Sequence, residues 1–221
     1  MSEKQPLTEE LMCLRVLREL RAGDYVNLGM GIPVLLSDFI APAMGITLQA
    51  ENGLLGYGPI LREGYDPDCR NAGGNPVSLL PGAACFDSAE SFAMIRGGHV
   101  DVAVLGGLQV SERGDLANYI TREGASGTMG GAVDLAAGAR RLIVVMTHVT
   151  KDGRPKLVRE CTYPLTGRQV VDLVITDLAV VEVTPQGFLL REVAPGYTPE
   201  EIQALSEPPL KVSPDLGEIA L

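Results

Sequence analysis

A lone carboxylate, Glu51, closes the short run Thr47-Leu-Gln-Ala and opens the turn Asn52-Gly53, with Gly56 and Gly58 close behind. In that setting a carboxylate has backbone N–H donors near it and little side-chain bulk around it, so it could attack an acyl carbonyl as a nucleophile. Asn-Gly is equally a hairpin signal, and on that reading Glu51 is a solvated turn residue. Residue types alone leave both readings open.

Three glycine clusters follow apolar runs: Asn27-Leu-Gly29-Met-Gly31-Ile-Pro33, Leu105-Gly106-Gly107-Leu-Gln109 and Gly127-Thr-Met-Gly130-Gly131-Ala132-Val-Asp134. None is a dinucleotide fingerprint, since Pro33 and Val34 stand where the first would need its third glycine. There is no phosphate-cradling Gly-x-x-x-x-Gly-Lys-Ser/Thr and no Gly-x-Ser-x-Gly elbow. Glycines at strand ends do let a ligand approach the backbone closely, which suits a thioester. Gly106-Gly107 fits tight helix–sheet packing, whereas Gly130-Gly131, placed at a helix N-terminus, fits an oxyanion or a phosphate. Asp101 and Asp134 read as turn or cap residues. His148 reads as a satisfied strand-end histidine, with general acid/base chemistry as its alternative.

The elements that must position these residues come from a chain of 221 residues, 46% hydrophobic, with a formal charge of −10. That is enough to bury a substantial core, and the negative balance argues against non-specific nucleic-acid binding and against an anionic membrane surface. The N-terminus has no signal-like apolar stretch and no window is long and apolar enough to span a bilayer, so the expectation is a cytoplasmic protein. Cys13, Cys69, Cys85 and Cys161 are far apart, and with His99 and His148 they lack metal-ligand spacing; free buried thiols and no metal site are expected.

Residues 8–22 predict an amphipathic helix with Thr8 as N-cap. Strand-like runs follow at 25–28, 46–49, 100–105, 142–147, 173–176 and 180–183, several too continuously apolar to have a wet face. Helices are expected from Asp87-Ser-Ala-Glu90 and over 132–139. Alternation of buried strand and helix predicts an α/β fold, an open three-layer domain with a mostly parallel or mixed sheet. We expect one domain over 1–193, with 194–221 as its proline-rich C-terminal arm, in which Thr198-Pro199-Glu200-Glu201 caps a short helix. Residues 62–85 read as a long loop.

Taken in order, Asn27-Leu-Gly-Met-Gly-Ile-Pro33, Glu51-Asn-Gly-Leu-Leu-Gly56, the run from Asp87 to Asp101, Gly114-Asp-Leu-Ala-Asn118, Met129-Gly-Gly-Ala-Val-Asp-Leu135 and Pro164-Leu-Thr-Gly167 resemble the B subunit of the family I CoA transferases. That group includes the succinyl-CoA:3-oxoacid and 3-oxoadipate CoA-transferases, and the resemblance spans most of the chain. It implies an open α/β domain and makes Glu51, the first residue of Glu-Asn-Gly, the catalytic nucleophile. The candidates for CoA or substrate binding, or for an oxyanion site, are Asn52, Gly53, Gly29, Gly31, Gly130, Gly131 and Ala132. Two positions depart from the family pattern: Ala50 replaces the usual serine, removing a hydroxyl, and Gly127 replaces a lysine, removing a charge that CoA could meet.

The implied activity moves CoA from an acyl-CoA of succinyl-CoA type to a 3-oxo acid of acetoacetate type through a glutamyl-CoA thioester. A 3-oxoadipate transferase is next, followed by an acyl-CoA hydrolase and a non-catalytic acyl-CoA-binding or sensor protein. CoA would be substrate, with no permanently bound cofactor. The implied partner is the A subunit of a CoA-transferase, in an AB dimer or A2B2 heterotetramer.

Overall fold

The computed structural model describes residues 4–121 and 129–220. Thr8 caps α1 (Glu9–Leu17) by accepting from Leu11 N–H, as the sequence predicts, although the helix ends before residue 22. Strands β1 (Tyr25–Leu28) and β2 (Thr47–Ala50) follow, then the hairpin pair β3 (Leu54–Ile60) and β4 (Val77–Cys85). Asp87 caps α2 (Ser88–Arg96), after which come β5 (Val102–Gly106), β6 (Gln109–Ser111) and β7 (Leu116–Ala117). The chain continues through α3 (Ala132–Gly138), β8 (Arg141–Met146), β9 (Leu157–Val158), β10 (Leu173–Thr176), β11 (Ala179–Thr184) and β12 (Gly187–Val193). It closes with α4 (Pro199–Ala204), which carries the expected Thr198/Glu201 capping box, and β13 (Lys211–Glu218).

Ten strands form one sheet in the order β13-β12-β11-β10-β8-β5-β1-β2-β3-β4. Its centre, β10-β8-β5-β1-β2, is parallel throughout, while β11, β12, β3 and β4 join antiparallel and β13 runs parallel to β12. Alternate residues of the central strands enter two different cores, because successive side chains of a strand point to opposite faces. Val102, Val104, Ile143 and Val145 pack beneath α1. Ala103, Leu105, Leu142 and Val144 pack against Ile95 of α2 and Leu135 of α3. The expected three-layer α/β arrangement with a mixed sheet is the one observed.

Three expectations are corrected. Residues 77–85, read as loop, form edge strand β4; Pro81 and Gly82 hide it in the sequence, but an edge strand tolerates a missing N–H, and the register with β3 shifts twice along it. The thiols are all free, but Cys13 alone is buried: Cys69 and Cys161 are half-buried and Cys85 is exposed. The proline-rich stretch also supplies β13, where no strand is expected. Among the described residues no helix is long and apolar enough to cross a membrane.

Candidate active site

Adjacent strands β5, β1 and β2 end side by side, and their carboxyl ends make the crevice where open α/β sheets bind ligands. Glu51 leaves the end of β2 in a tight link to β3, bracketed by the pair Ala50–Leu54 and closed by Gly53 N–H donating to Ala50 O at 3.0 Å. Gly53 sits at φ +113°, and a Cβ there would lie 2.0 Å from Phe86 O, so the turn tolerates only glycine. Asn52 turns away from the crevice, its Nδ2 donating to Arg70 O at 2.7 Å. These two residues build the turn and anchor the following loop; they do not line the cavity beside Glu51.

That cavity, about 110 Å³, is lined by Gly29, Met30, Glu51, Leu105 and Gly106 at the strand ends. Asn118, Tyr119, Met129, Gly130, Gly131, Ala132 and Leu135 complete its described lining. Gly29, Gly130, Gly131 and Ala132 are therefore brought to Glu51 as expected candidates, whereas Gly31 lies outside the lining. Gly29 packs as well as lines: its N–H is spent on Val104 O at 2.8 Å, and a Cβ would meet Leu105 Cδ2 at 2.9 Å. Gly131 lies close against it: a Cβ there would lie 2.9 Å from Glu51 Oε1 and 3.0 Å from its Cδ.

Burial raises the Glu51 pKa; hydrogen bonding from its own backbone, from the Asn27 side chain and from Gly131 N–H opposes that shift. Oε2 is buried without a partner among the described residues. A half-buried carboxylate with one oxygen held and the other unsatisfied is poised to attack an electrophile, and the donors beside it can receive developing negative charge. Buried Tyr57 feels the Glu51 charge, but burial keeps its hydroxyl protonated.

Asn27 and Asn118 are the neighbours that residue types alone did not select. The signal for Asn27 is a fully buried polar residue between Val26 and Leu28 in an otherwise apolar strand. Asn118 is held by Thr166, whose hydroxyl donates to Oδ1 at 2.6 Å and so fixes the amide NH2 as the donor end of the side chain. Gly127 lies outside the described residues.

The remaining candidates lie elsewhere. Asp134 pairs with Arg96, and Asp101 accepts from Tyr25 N–H and from Arg140. His148 is fully buried between Thr176 Oγ1 at 2.9 Å and Ser206 Oγ at 3.0 Å, and burial pushes its pKa down to about 4. It is a satisfied neutral histidine. Gly107 packs against Val144 and Met146, whereas its neighbour Gly106 faces the cavity.

The sequence profile of the coenzyme A transferase family matches residues 11–205. The chain is 49% identical over 212 residues to the B subunit of the 3-oxoadipate CoA-transferase of Pseudomonas putida, covering 95% of this chain and 99% of that one. It is 47% identical over 203 residues to the beta subunit of the acetate CoA-transferase of Escherichia coli K12, covering 92% and 93%. Among solved structures, an acyl-CoA transferase of Escherichia coli O157:H7 superposes with a TM-score of 0.78 at 23% identity, over 100% of this chain. This chain spans only 45% of that structure, a likeness of fold alone. The extent of the profile match and identities near one half over nearly full length place this chain in the coenzyme A transferase family, as a CoA-transferase.

Proposed function

We propose that this chain is the B subunit of a two-subunit CoA-transferase in which Glu51 carries CoA as a glutamyl thioester. The observation that supports it is the Glu51 carboxylate itself: half-buried, one oxygen without a partner among the described residues, and set among the Gly131 N–H and the Asn27 and Asn118 amides at the mouth of parallel strands. The Glu51 oxygen attacks the thioester carbonyl carbon, the C–S bond breaks, and CoA leaves as thiolate from an acyl-glutamyl anhydride. The thiolate then attacks the glutamyl carbonyl, releasing the donor's carboxylate and leaving a Glu51–CoA thioester. An acceptor carboxylate runs the two steps in reverse.

Each attack builds an oxyanion, and one well-aimed donor is worth ~3 kcal/mol to such a state. The glutamate must be ionised to attack, so the donors that oppose its raised pKa also keep the nucleophile available. The chemistry draws on no resident cofactor, CoA being substrate. Water must be kept from the anhydride. Glu51 lies at an open crevice whose rim carries exposed Met30 and Met129, which a second polypeptide would cover. The relatives are named as B or beta subunits, which supports a complementary A-type chain as that partner.

The favoured substrates are a succinyl-CoA-type donor and an acetoacetate-type acceptor, with 3-oxoadipate next. Among the described residues lining the cavity there is no lysine or arginine, so a distal carboxylate of succinate or 3-oxoadipate would draw its cation from outside this lining. The test mixes this chain and its partner with acyl-CoA, without acceptor, and locates CoA by mass spectrometry. An adduct on Glu51 is expected. Its absence, with undiminished turnover in Glu51→Ala, refutes the nucleophile. Consumption of acyl-CoA equally fast with and without acceptor acid refutes transfer in favour of hydrolysis.

A further inference from the structure

Behind the Glu51 cavity, on the sheet face covered by α2, three polar side chains are buried in apolar surroundings. Asn27 and Gln49 are register partners on parallel strands β1 and β2, so their side chains stand together on one face, and Ser91 reaches down to them from α2. Their exposures are 0%, 1% and 0%. Asn27 Nδ2 donates to Gln49 Oε1 at 2.6 Å, Gln49 Nε2 donates to Ser91 Oγ at 2.7 Å, and Ser91 Oγ donates to Ala50 O at 3.2 Å.

The direction of this chain is set from its far end. A backbone carbonyl can only accept, so the single Ser91 hydroxyl proton is spent on Ala50 O. Ser91 Oγ must then accept from the Gln49 NH2, which leaves Gln49 its carbonyl oxygen, and Asn27 must present an N–H to that oxygen. The Asn27 amide is thereby held with its nitrogen between Gln49 and Glu51, and one of its two hydrogens remains for the carboxylate. The chain begins beside Glu51 and ends on the carbonyl of the residue before it, so it ties side chain and turn together.

A network that served only to satisfy buried groups would close on itself. Among the described residues this one leaves two buried acceptors unpartnered, Asn27 Oδ1 and Glu51 Oε2, both at the Glu51 end. Its satisfied end is the one away from the cavity. We infer that Gln49 and Ser91, neither of which touches the reacting atoms, are positioning residues that lock the Asn27 amide as a donor to Glu51. The inference rests on the proposed role of Glu51. Among nearby titratable groups, Tyr57 also faces that carboxylate, and it stays protonated throughout the range in which Glu51 ionises.

The test uses this chain assembled with its partner, in Gln49→Met and Ser91→Ala variants. Two readouts are followed against pH: the single-turnover rate of CoA-adduct formation on Glu51, and the titration of the Glu51 carboxyl carbon by ¹³C NMR, its resonance identified by its loss in Glu51→Gln. Loss of a hydrogen bond to a charged group predicts adduct formation slowed about tenfold in Gln49→Met at saturating acyl-CoA. The acyl-CoA KM is expected to stay within about twofold, because Gln49 touches no substrate, while the acid limb and the carboxyl titration both move to higher pH. Ser91→Ala moves both in the same direction. A folded, partner-bound Gln49→Met with the parental rate and titration overturns the inference. Should Gln49→Met fail to fold, Ser91→Ala, which deletes one hydroxyl, decides in its place. If the parental complex forms no adduct, the Glu51 mechanism fails, and the titration alone still decides whether the chain of amides acts on Glu51.

Discussion

Replacing Gly131 by alanine tests whether the closeness of this glycine to Glu51 is what the chemistry uses. The backbone at Gly131 has φ −79°, which alanine adopts freely, so the effect comes from space. The new methyl would lie 2.9 Å from Glu51 Oε1, 3.0 Å from Cδ and 3.2 Å from Cγ. Ordinary contact begins at 3.4 Å, so the carboxylate must retreat by roughly half an ångström. That retreat stretches the hydrogen bond from Gly131 N–H, and a hydrogen bond to a charged group is worth ~1.5–3 kcal/mol, about ten- to a hundredfold in rate. Misplacing the reacting atom adds to this, a displacement near 1 Å costing about a hundredfold. We therefore expect Gly131→Ala to lower the rate of Glu51–CoA formation by about two orders of magnitude. Stability should fall by only ~1 kcal/mol, the usual cost of alanine at an N-cap. The assay is quenched-flow mass spectrometry on the assembled complex, with a urea titration alongside. A folded Gly131→Ala complex that loads CoA at the parental rate would refute the geometry on which the mechanism stands.

Other substitutions separate architecture from chemistry. Gly53→Ala should fail to give folded protein, or lose most of its stability in a urea titration, because its Cβ falls 2.0 Å from a backbone oxygen at φ +113°; a folded, active variant would count against the turn described. Glu51→Gln should raise the melting temperature at neutral pH. The folded pKa of Glu51 is raised by burial, so its stabilising contribution is complete below the unfolded value and is lost as pH rises through the folded one; a neutral amide escapes that loss. Arg15, 5% exposed, holds Glu192 through Nε and Nη2 and Glu19 through Nη1, each at 2.8 Å. Arg15→Ala strands Glu192, leaves Glu19 to Arg141 alone and unties α1 from β12, so urea denaturation should show a loss of roughly 3 kcal/mol. His148 is held neutral with a pKa of about 4 against an ordinary 6.5, so the unfolded chain gains a proton that the folded one refuses as pH falls between those values. Up to about 3 kcal/mol of stability is lost across that window, and His148→Gln should flatten the curve there; an unchanged slope would contradict it.

Local elements were legible where the signal is local. Thr8 and the Thr198/Glu201 box cap their helices as expected, since a capping side chain and the N–H it meets lie within one turn. The buried parallel strands announced themselves as apolar runs. Strands β3 and β4 did not, because Gly56, Gly58, Pro59, Pro81 and Gly82 obey the demands of a bulged edge hairpin instead of strand propensity. Of the long loop expected over 62–85, residues 62–76 are loop and only 77–85 belong to that edge.

Within the site, residue order alone identified the family resemblance, Glu51 and the glycines Gly130 and Gly131, because those motifs are contiguous stretches. Whether Glu51 is a solvated turn or a desolvated carboxylate was undetermined by its neighbours in sequence. Burial is a property of the assembled layers: β2 must lie beside β1 and β1 beside β5, with α3 starting over their ends, before Asn27 and Gly131 can reach the same carboxylate. The same assembly turned Asn52 toward Arg70, committed Gly53 to the turn, and buried Asn27, Gln49 and Ser91 in a line that no periodicity in the chain reveals. The sequence by itself determined which carboxylate carries the family motif and where the capped helices and the buried central strands would form. Strand order and layer packing, set by contacts between residues distant along the chain, decided how that carboxylate is desolvated and which donors face it.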